Sequence, residues 1–258
     1  MGYIHIIRDF YSYPEQENRV LRIFTPVAYD HEPDRRFPVL YMHDGQNVFN
    51  HPESATFHTW CANDVMEDLA HSGVIRPWII VAIDHSPARF EQYTPWDDLA
   101  VGVQARGHLY ADFLVNHVKP FIDRTYRTLP EPQDTAIAGA SLGGLMSVYM
   151  GWMRPDVFGR IGGVSPSLMW SQAGMFSAWN RHTQRWTRLT LEAGEHEMVQ
   201  YAGVFLDYGN MTRDFYWHLK NLGYADYEVR LVLEPDGQHH EIDWRRRLPG
   251  TFSWLLAD

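Results

Sequence analysis

A serine acts as a nucleophile only where the chain lifts its hydroxyl into the open. The stretch that could do so is Gly139-Ala140-Ser141-Leu142-Gly143. A short apolar run, Thr135-Ala136-Ile137-Ala138, leads into it, and residues 142–149 read as a helix. Strand, sharp turn bearing Ser, then helix is the setting that makes G-x-S-x-G a nucleophile elbow. Gly139 and Gly143 suit it because strand and helix pass close there and a Cβ would clash. The helix points free N–H groups and its positive dipole end at the same space. The bare pattern arises by chance in roughly one chain in ten of this length. Other parts of the chain must therefore support it.

The chemistry implied is attack on a carbonyl, which needs a base for the serine proton and an acid to orient that base. In elbow-bearing folds the order is Ser, acid, His. Open α/β sheets put functional side chains just beyond the C-terminal ends of their strands. The last expected strand runs into Glu234-Pro235-Asp236-Gly237-Gln238-His239-His240, and the one before it into Gly194-Glu195-His196-Glu197. Both segments satisfy that rule. His239 and His240 are the candidate bases, and Glu195, Glu197 and Asp236 the candidate acids.

The elements that must hold these residues alternate between strand and helix. Residues 3–12 and 19–25 alternate apolar and polar around a polar turn and predict an antiparallel hairpin. Residues 29–37 are charged and proline-bearing and read as a loop. Residues 38–42 and 78–84 read as buried strands, 65–71 as a helix, and 86–99 as an aromatic loop. A helical region follows over about 104–124, broken at Pro120, with Leu109, Phe113, Leu114 and Val118 at helical spacing. Beyond the elbow, strands are expected at 161–164, 188–193 and 227–233. Helices are expected at 204–222 and 242–256. Such alternation predicts an α/β fold with a mostly parallel sheet and helices on both faces. The chain has 258 residues and no repeat or linker, so one domain over 1–258 is expected.

Composition narrows the function classes. A net charge of −10 argues against a nucleic-acid or anionic-membrane surface. Cys61 is the sole cysteine, which excludes an intramolecular disulfide or a thiolate cluster and reads as a small core residue. The longest apolar run, residues 78–83, is too short to span a bilayer, and the first residues lack a signal-peptide core. A cytoplasmic protein is expected. His43-Asp44 and the many histidines lack H-E-x-x-H or similar ligand spacing, so neither a metal nor any other cofactor is expected. Arg245-Arg246-Arg247 reads as a solvated helix face.

Several motifs recur in the same order as in a known family. They are Pro38-Val39-Leu40-Tyr41-Met42-His43-Asp44-Gly45-Gln46-Asn47, the elbow through Gly144, Phe158-Gly159-Arg160 with Ser165-Pro166, Gly194-x-x-Glu197, and His239-x-Glu241-x-x-Trp244-Arg245. Over about residues 10–255 the chain resembles the esterase D / feruloyl-esterase-like group of α/β hydrolases, which includes enterochelin esterases and antigen 85 acyltransferases. The resemblance implies an α/β-hydrolase fold with Ser141 as nucleophile. It makes His239 the base, five residues before Trp244, and Glu197 the acid, fourth in the Gly-x-x-acid turn. The backbone N–H groups of Gln46 and Leu142 would form the oxyanion hole. Asp44, Tyr93, Trp96 and Trp170 are expected at the substrate. The expected partner is a small-molecule ester, with acyl or carbohydrate-type esters hydrolysed through an acyl-enzyme. The alternatives are acyl transfer or thioester cleavage on the same residues, or a silent ligand-binding relative. Oligomeric state is not legible.

Overall fold

The computed structural model describes residues 2–55, 58–180 and 188–258. Ten strands are described: β1 (Tyr3–Ser12), β2 (Glu17–Thr25), β3 (Val39–His43), β4 (Ile79–Ile83), β5 (Thr135–Ala140), β6 (Arg160–Val164), β7 (Arg188–Gly194), β8 (Met198–Tyr201), β9 (Val204–Asp207) and β10 (Val229–Glu234). Eight form one sheet in the order β1-β2-β4-β3-β5-β6-β7-β10. The expected opening hairpin supplies the antiparallel edge, and every pair from β4 through β10 is parallel. Strands β3 to β6 are buried at every residue, as the central strands of a sheet covered on both faces must be.

The helices are α1 (Val27–His31), α2 (Ala62–His71), α3 (Arg89–Gln92), α4 (Gly107–Phe113), α5 (Lys119–Thr125), α6 (Leu142–Met153), α7 (Trp170–Ala178), α8 (Tyr208–Asn221) and α9 (Glu241–Leu255). Side chains alternate along the strands between two cores. Val39, Tyr41, Ile79, Val81 and Ile137 pack with α4, α6 and α8. Leu40, Met42, Ile80, Ala82 and Ala138 pack on the other face with α2 and α9. α6 is buried from Leu142 through Gly151, as expected of a helix apolar on all sides.

Four expectations change. Residues 27–31 form α1, so the loop expected at 29–37 is shorter. The expected break at Pro120 is a change of winding: a π-helical stretch, Leu114–Val118, joins α4 to α5 just ahead of Pro120, in the first turn of α5. The helix expected from residue 204 starts at Tyr208, because 204–207 is β9, paired with β8 in a separate two-stranded hairpin. Residues 170–178 add α7, outside the expected elements, kinked by left-handed φ/ψ at Ser171, Gln172 and Ala173. No helix among the described residues is long and apolar enough to cross a membrane.

Candidate active site

The sheet order reverses between β3 and β5, and a crevice opens beyond the C-terminal strand ends at such a point. Asp44, Ser141, Ser165, Glu197 and His239 all follow the ends of strands gathered there: β3, β5, β6, β7 and β10.

Ser141 links β5 to α6 with φ 59° and ψ −124°, a region that non-glycine residues rarely occupy. Its N–H donates to the Val164 carbonyl at 3.0 Å, which fixes the turn against β6. A Cβ on Gly139 would lie 2.8 Å from the Gly143 carbonyl carbon and 2.9 Å from His43 Cδ2. One on Gly143 would lie 3.1 Å from His43 Cβ, a tight contact, so the steric demand is strict at Gly139 and milder at Gly143. The Ser141 hydroxyl lies 3.5 Å from Ser167 Oγ, and Ser141 and His239 line the same cavity.

His239 Nδ1 bonds Glu197 Oε1. The other Glu197 oxygen accepts the Gly194 N–H at 2.7 Å and the Ser165 hydroxyl at 2.8 Å. Burial pushes this carboxyl up, yet the His239 bond and charge, the Gly194 amide and the Ser165 hydroxyl outweigh it and hold it below the usual carboxylate range. The His239 ring is also held edge-on between Tyr208, at 4.9 Å, and Trp244, at 5.0 Å. The alternative residues sit otherwise. His240 caps α9, its Nδ1 accepting the Ile242 N–H at 3.1 Å. Asp236 is an exposed turn residue with φ 58°. Glu195 is half-buried, its N–H donating to the Glu234 carbonyl.

Gln46 lies in the single turn after β3, and its side chain accepts the His85 N–H at 3.1 Å. Its backbone N–H and that of Leu142, first residue of α6, donate to no acceptor among the described residues. Asp44 also lines the cavity shared by Ser141 and His239, locked in a two-bond pair with Arg89 at 2.6 and 2.8 Å. Trp170 lines a second cavity next to Ser141.

The other two expected substrate contacts lie elsewhere. Tyr93 is wholly buried beneath Asp44, whose N–H donates to its hydroxyl at 3.2 Å, so it supports the site from below. Trp96 packs against Tyr149, 5.4 Å between rings, and lines neither cavity. The arginine run is not uniformly solvated either. Arg247 is buried, donating to Ser165 at 3.2 Å and pairing with Glu234 at 3.3 Å, while Arg246 stays exposed. Arg89, Ser167 and Tyr208 carry no sequence signal as single residues. The strand-end rule applied to β6 would have reached Ser165 and Ser167.

Burial lowers the His43 pKa to about 3; Asp44 partly opposes this and Arg89 and Arg19 add to it. His43 is therefore neutral, with Nδ1 2.8 Å from the Tyr110 hydroxyl. Between pH 6.5 and 3 the unfolded chain binds a proton at this position that the fold refuses, so stability falls as pH falls through that window. The full span is worth roughly 3–5 kcal/mol. Thermal unfolding of wild type and His43→Gln from pH 7 to 4 checks this: the variant should lose melting temperature less steeply, by about one proton's worth. Parallel slopes would refute it.

The Putative esterase family profile matches residues 15–255. YbbA of Bacillus subtilis (strain 168), described as an uncharacterized protein, is 23% identical over 245 residues, covering 93% of this chain and 93% of that one. A ferulic acid esterase superposes with a TM-score of 0.75 at 18% identity, over 99% of this chain and 98% of that chain. Siderophore hydrolase EstA from Aspergillus nidulans superposes at 0.74 with 16% identity, over 98% and 93%. At these identities the superpositions establish an α/β-hydrolase fold. The family match reaches from the turn before β2 to the end of α9, and on that ground the chain belongs to the Putative esterase family and is a carboxylic ester hydrolase by class.

Proposed function

We propose that the chain is a serine esterase working through Ser141, His239 and Glu197 and an acyl-enzyme intermediate, within one domain. The observation that carries this reading is the His239–Glu197 pair, on the cavity that Ser141 also lines. Glu197 accepts from Nδ1 and so keeps Nε2 free as the base. Ser141 Oγ attacks the ester carbonyl carbon while Nε2 takes its proton. The new oxyanion is received by the Gln46 and Leu142 N–H groups, each typically worth a few kcal/mol of barrier. The C–O bond then breaks, and the leaving alkoxide takes the proton from His239. Water repeats the sequence on the acyl-enzyme and frees the acid.

Two cavities meet at Ser141. One of about 520 Å³ is edged by Phe90, Val103, Trp170 and Tyr201 and suits an acyl group, aromatic ones included. The other, about 300 Å³, offers Asp44, His85 and Glu241 and suits a hydroxyl-bearing alcohol. Small acyl or carbohydrate-type esters are thus the proposed substrates. The structurally similar ferulic acid esterase and siderophore hydrolase are compatible with that choice.

The test is labelling with a fluorescent alkyl phosphonate during p-nitrophenyl acetate turnover. One adduct is expected, on the peptide bearing Ser141, with hydrolysis falling in step with labelling. Turnover that survives complete labelling, or an adduct on another residue, sinks the reading.

A further inference from the structure

Tyr208, the first residue of α8, is 3% exposed, touches two residues of the proposed triad and reaches the third through Ser167. Its N–H donates to the Glu197 carbonyl at 2.8 Å. Its ring meets His239 edge-on at 4.9 Å. Its hydroxyl lies 2.9 Å from Ser167 Oγ, which lies 3.5 Å from Ser141 Oγ. Ser167 is itself 1% exposed and anchored, its N–H donating to the Ser141 carbonyl at 3.1 Å. We infer that Tyr208, acting through Ser167, is a positioning residue that sets the direction of the Ser141 hydroxyl proton. This rests on the serine-esterase reading above.

The argument is a count of protons. Burial, with the Glu197 charge, outweighs the two serine hydroxyls and pushes the Tyr208 phenol up to about 12, so at neutral pH it has a proton to give. Ser167 Oγ has one proton and two lone pairs. If it accepts from Tyr208, its own proton points at Ser141 Oγ. Ser141 then accepts, and its proton is left for His239 Nε2. The chain Tyr208, Ser167, Ser141, His239, Glu197 runs in one direction, each bond polarising the next. Without the phenol, Ser167 Oγ loses the donor that leaves its own proton for Ser141, and both its lone pairs are open. It then accepts from Ser141 and draws the reacting proton away from His239.

Tyr208→Phe keeps the ring against His239 and removes only the hydroxyl. It should lower kcat for p-nitrophenyl acetate and the phosphonate labelling rate together, by roughly 3- to 10-fold, with KM within twofold. Ser167→Ala should do the same. The double variant should be no slower than the slower single one, since both break the same chain. Wild-type kcat and labelling in Tyr208→Phe, while Ser141→Ala is dead, overturns the inference and leaves the esterase reading standing. So do losses that multiply in the double variant, or a Tyr208→Phe effect confined to melting temperature and KM. An active Ser141→Ala instead removes the esterase reading and this inference together.

Discussion

Ser141→Ala should lower kcat for p-nitrophenyl acetate by about 10⁵- to 10⁶-fold while leaving KM nearly unchanged. The variant keeps both cavities and both free amides. What it loses is the atom that bonds to the carbonyl, and no neighbouring hydroxyl can replace it. Ser167 Oγ is 3.5 Å away but is engaged with Tyr208 at 2.9 Å, and it has no histidine of its own. Binding and the oxyanion donors still act on water, so a residue of catalysis, roughly 10³-fold over the uncatalysed rate, should persist. Alanine has to adopt the same φ of 59° that the elbow imposes on serine, so substitution neither relieves nor adds backbone strain. Unfolding temperature should therefore match the wild type, separating loss of chemistry from loss of fold. Initial rates at saturating ester, read with a melting curve, decide it. Turnover within tenfold of wild type would show that another group makes the covalent bond.

The site was legible to the extent that it is built from contiguous motifs at strand ends. The elbow is five residues long and carries its own steric logic. Glu197 and His239, the proposed acid and base, could be reached because the fold fixes which loops would hold them. The structure then separates each from its neighbours by contacts no sequence prints. His240 is turned to cap α9, and only His239 reaches Glu197. Side chains whose role depends on remote partners were misread. Arg247 sits in a charge run, and its meaning comes from Ser165, 82 residues away. Tyr93 stands in an aromatic loop like a substrate contact, yet its hydroxyl holds the backbone of Asp44 from inside the core. In the fold, the helix expected over 204–222 takes in β9, and β8 has no counterpart among the expected elements. The strands of this hairpin are only four residues each, and Ala202 at φ 49° in the turn is not a residue that signals a left-handed position. Tyr208 was hidden for the same reason, since its place is the boundary that was misread.

Glu197→Gln should be nearly as damaging as loss of the nucleophile, about 10⁴-fold in kcat, although it changes neither shape nor volume. The reason lies in the donors around the carboxylate. One oxygen receives the Gly194 N–H and the Ser165 hydroxyl. Ser165 is committed to that direction because its oxygen already accepts from Trp244 at 3.1 Å and Arg247 at 3.2 Å. A glutamine must put its carbonyl where those two donors point, which leaves its NH₂ facing His239 Nδ1. An N–H cannot accept from an N–H. The imidazole is then driven to carry its proton on Nε2, the tautomer that cannot take one from Ser141. Phosphonate labelling should fail along with turnover, whereas Glu195→Gln and Asp236→Asn should stay within about twofold of wild type. The acid side of the stability profile should change as well. The Glu197 carboxyl is held below its ordinary 4.5, so its stabilising contribution is complete above that pH and is lost as pH falls through the depressed value. The glutamine variant has no such limb. If Glu197→Gln retained activity while Glu195→Gln lost it, the acid would have to be reassigned. A shared loss in both would mean that the loop, rather than one carboxylate, orients the base.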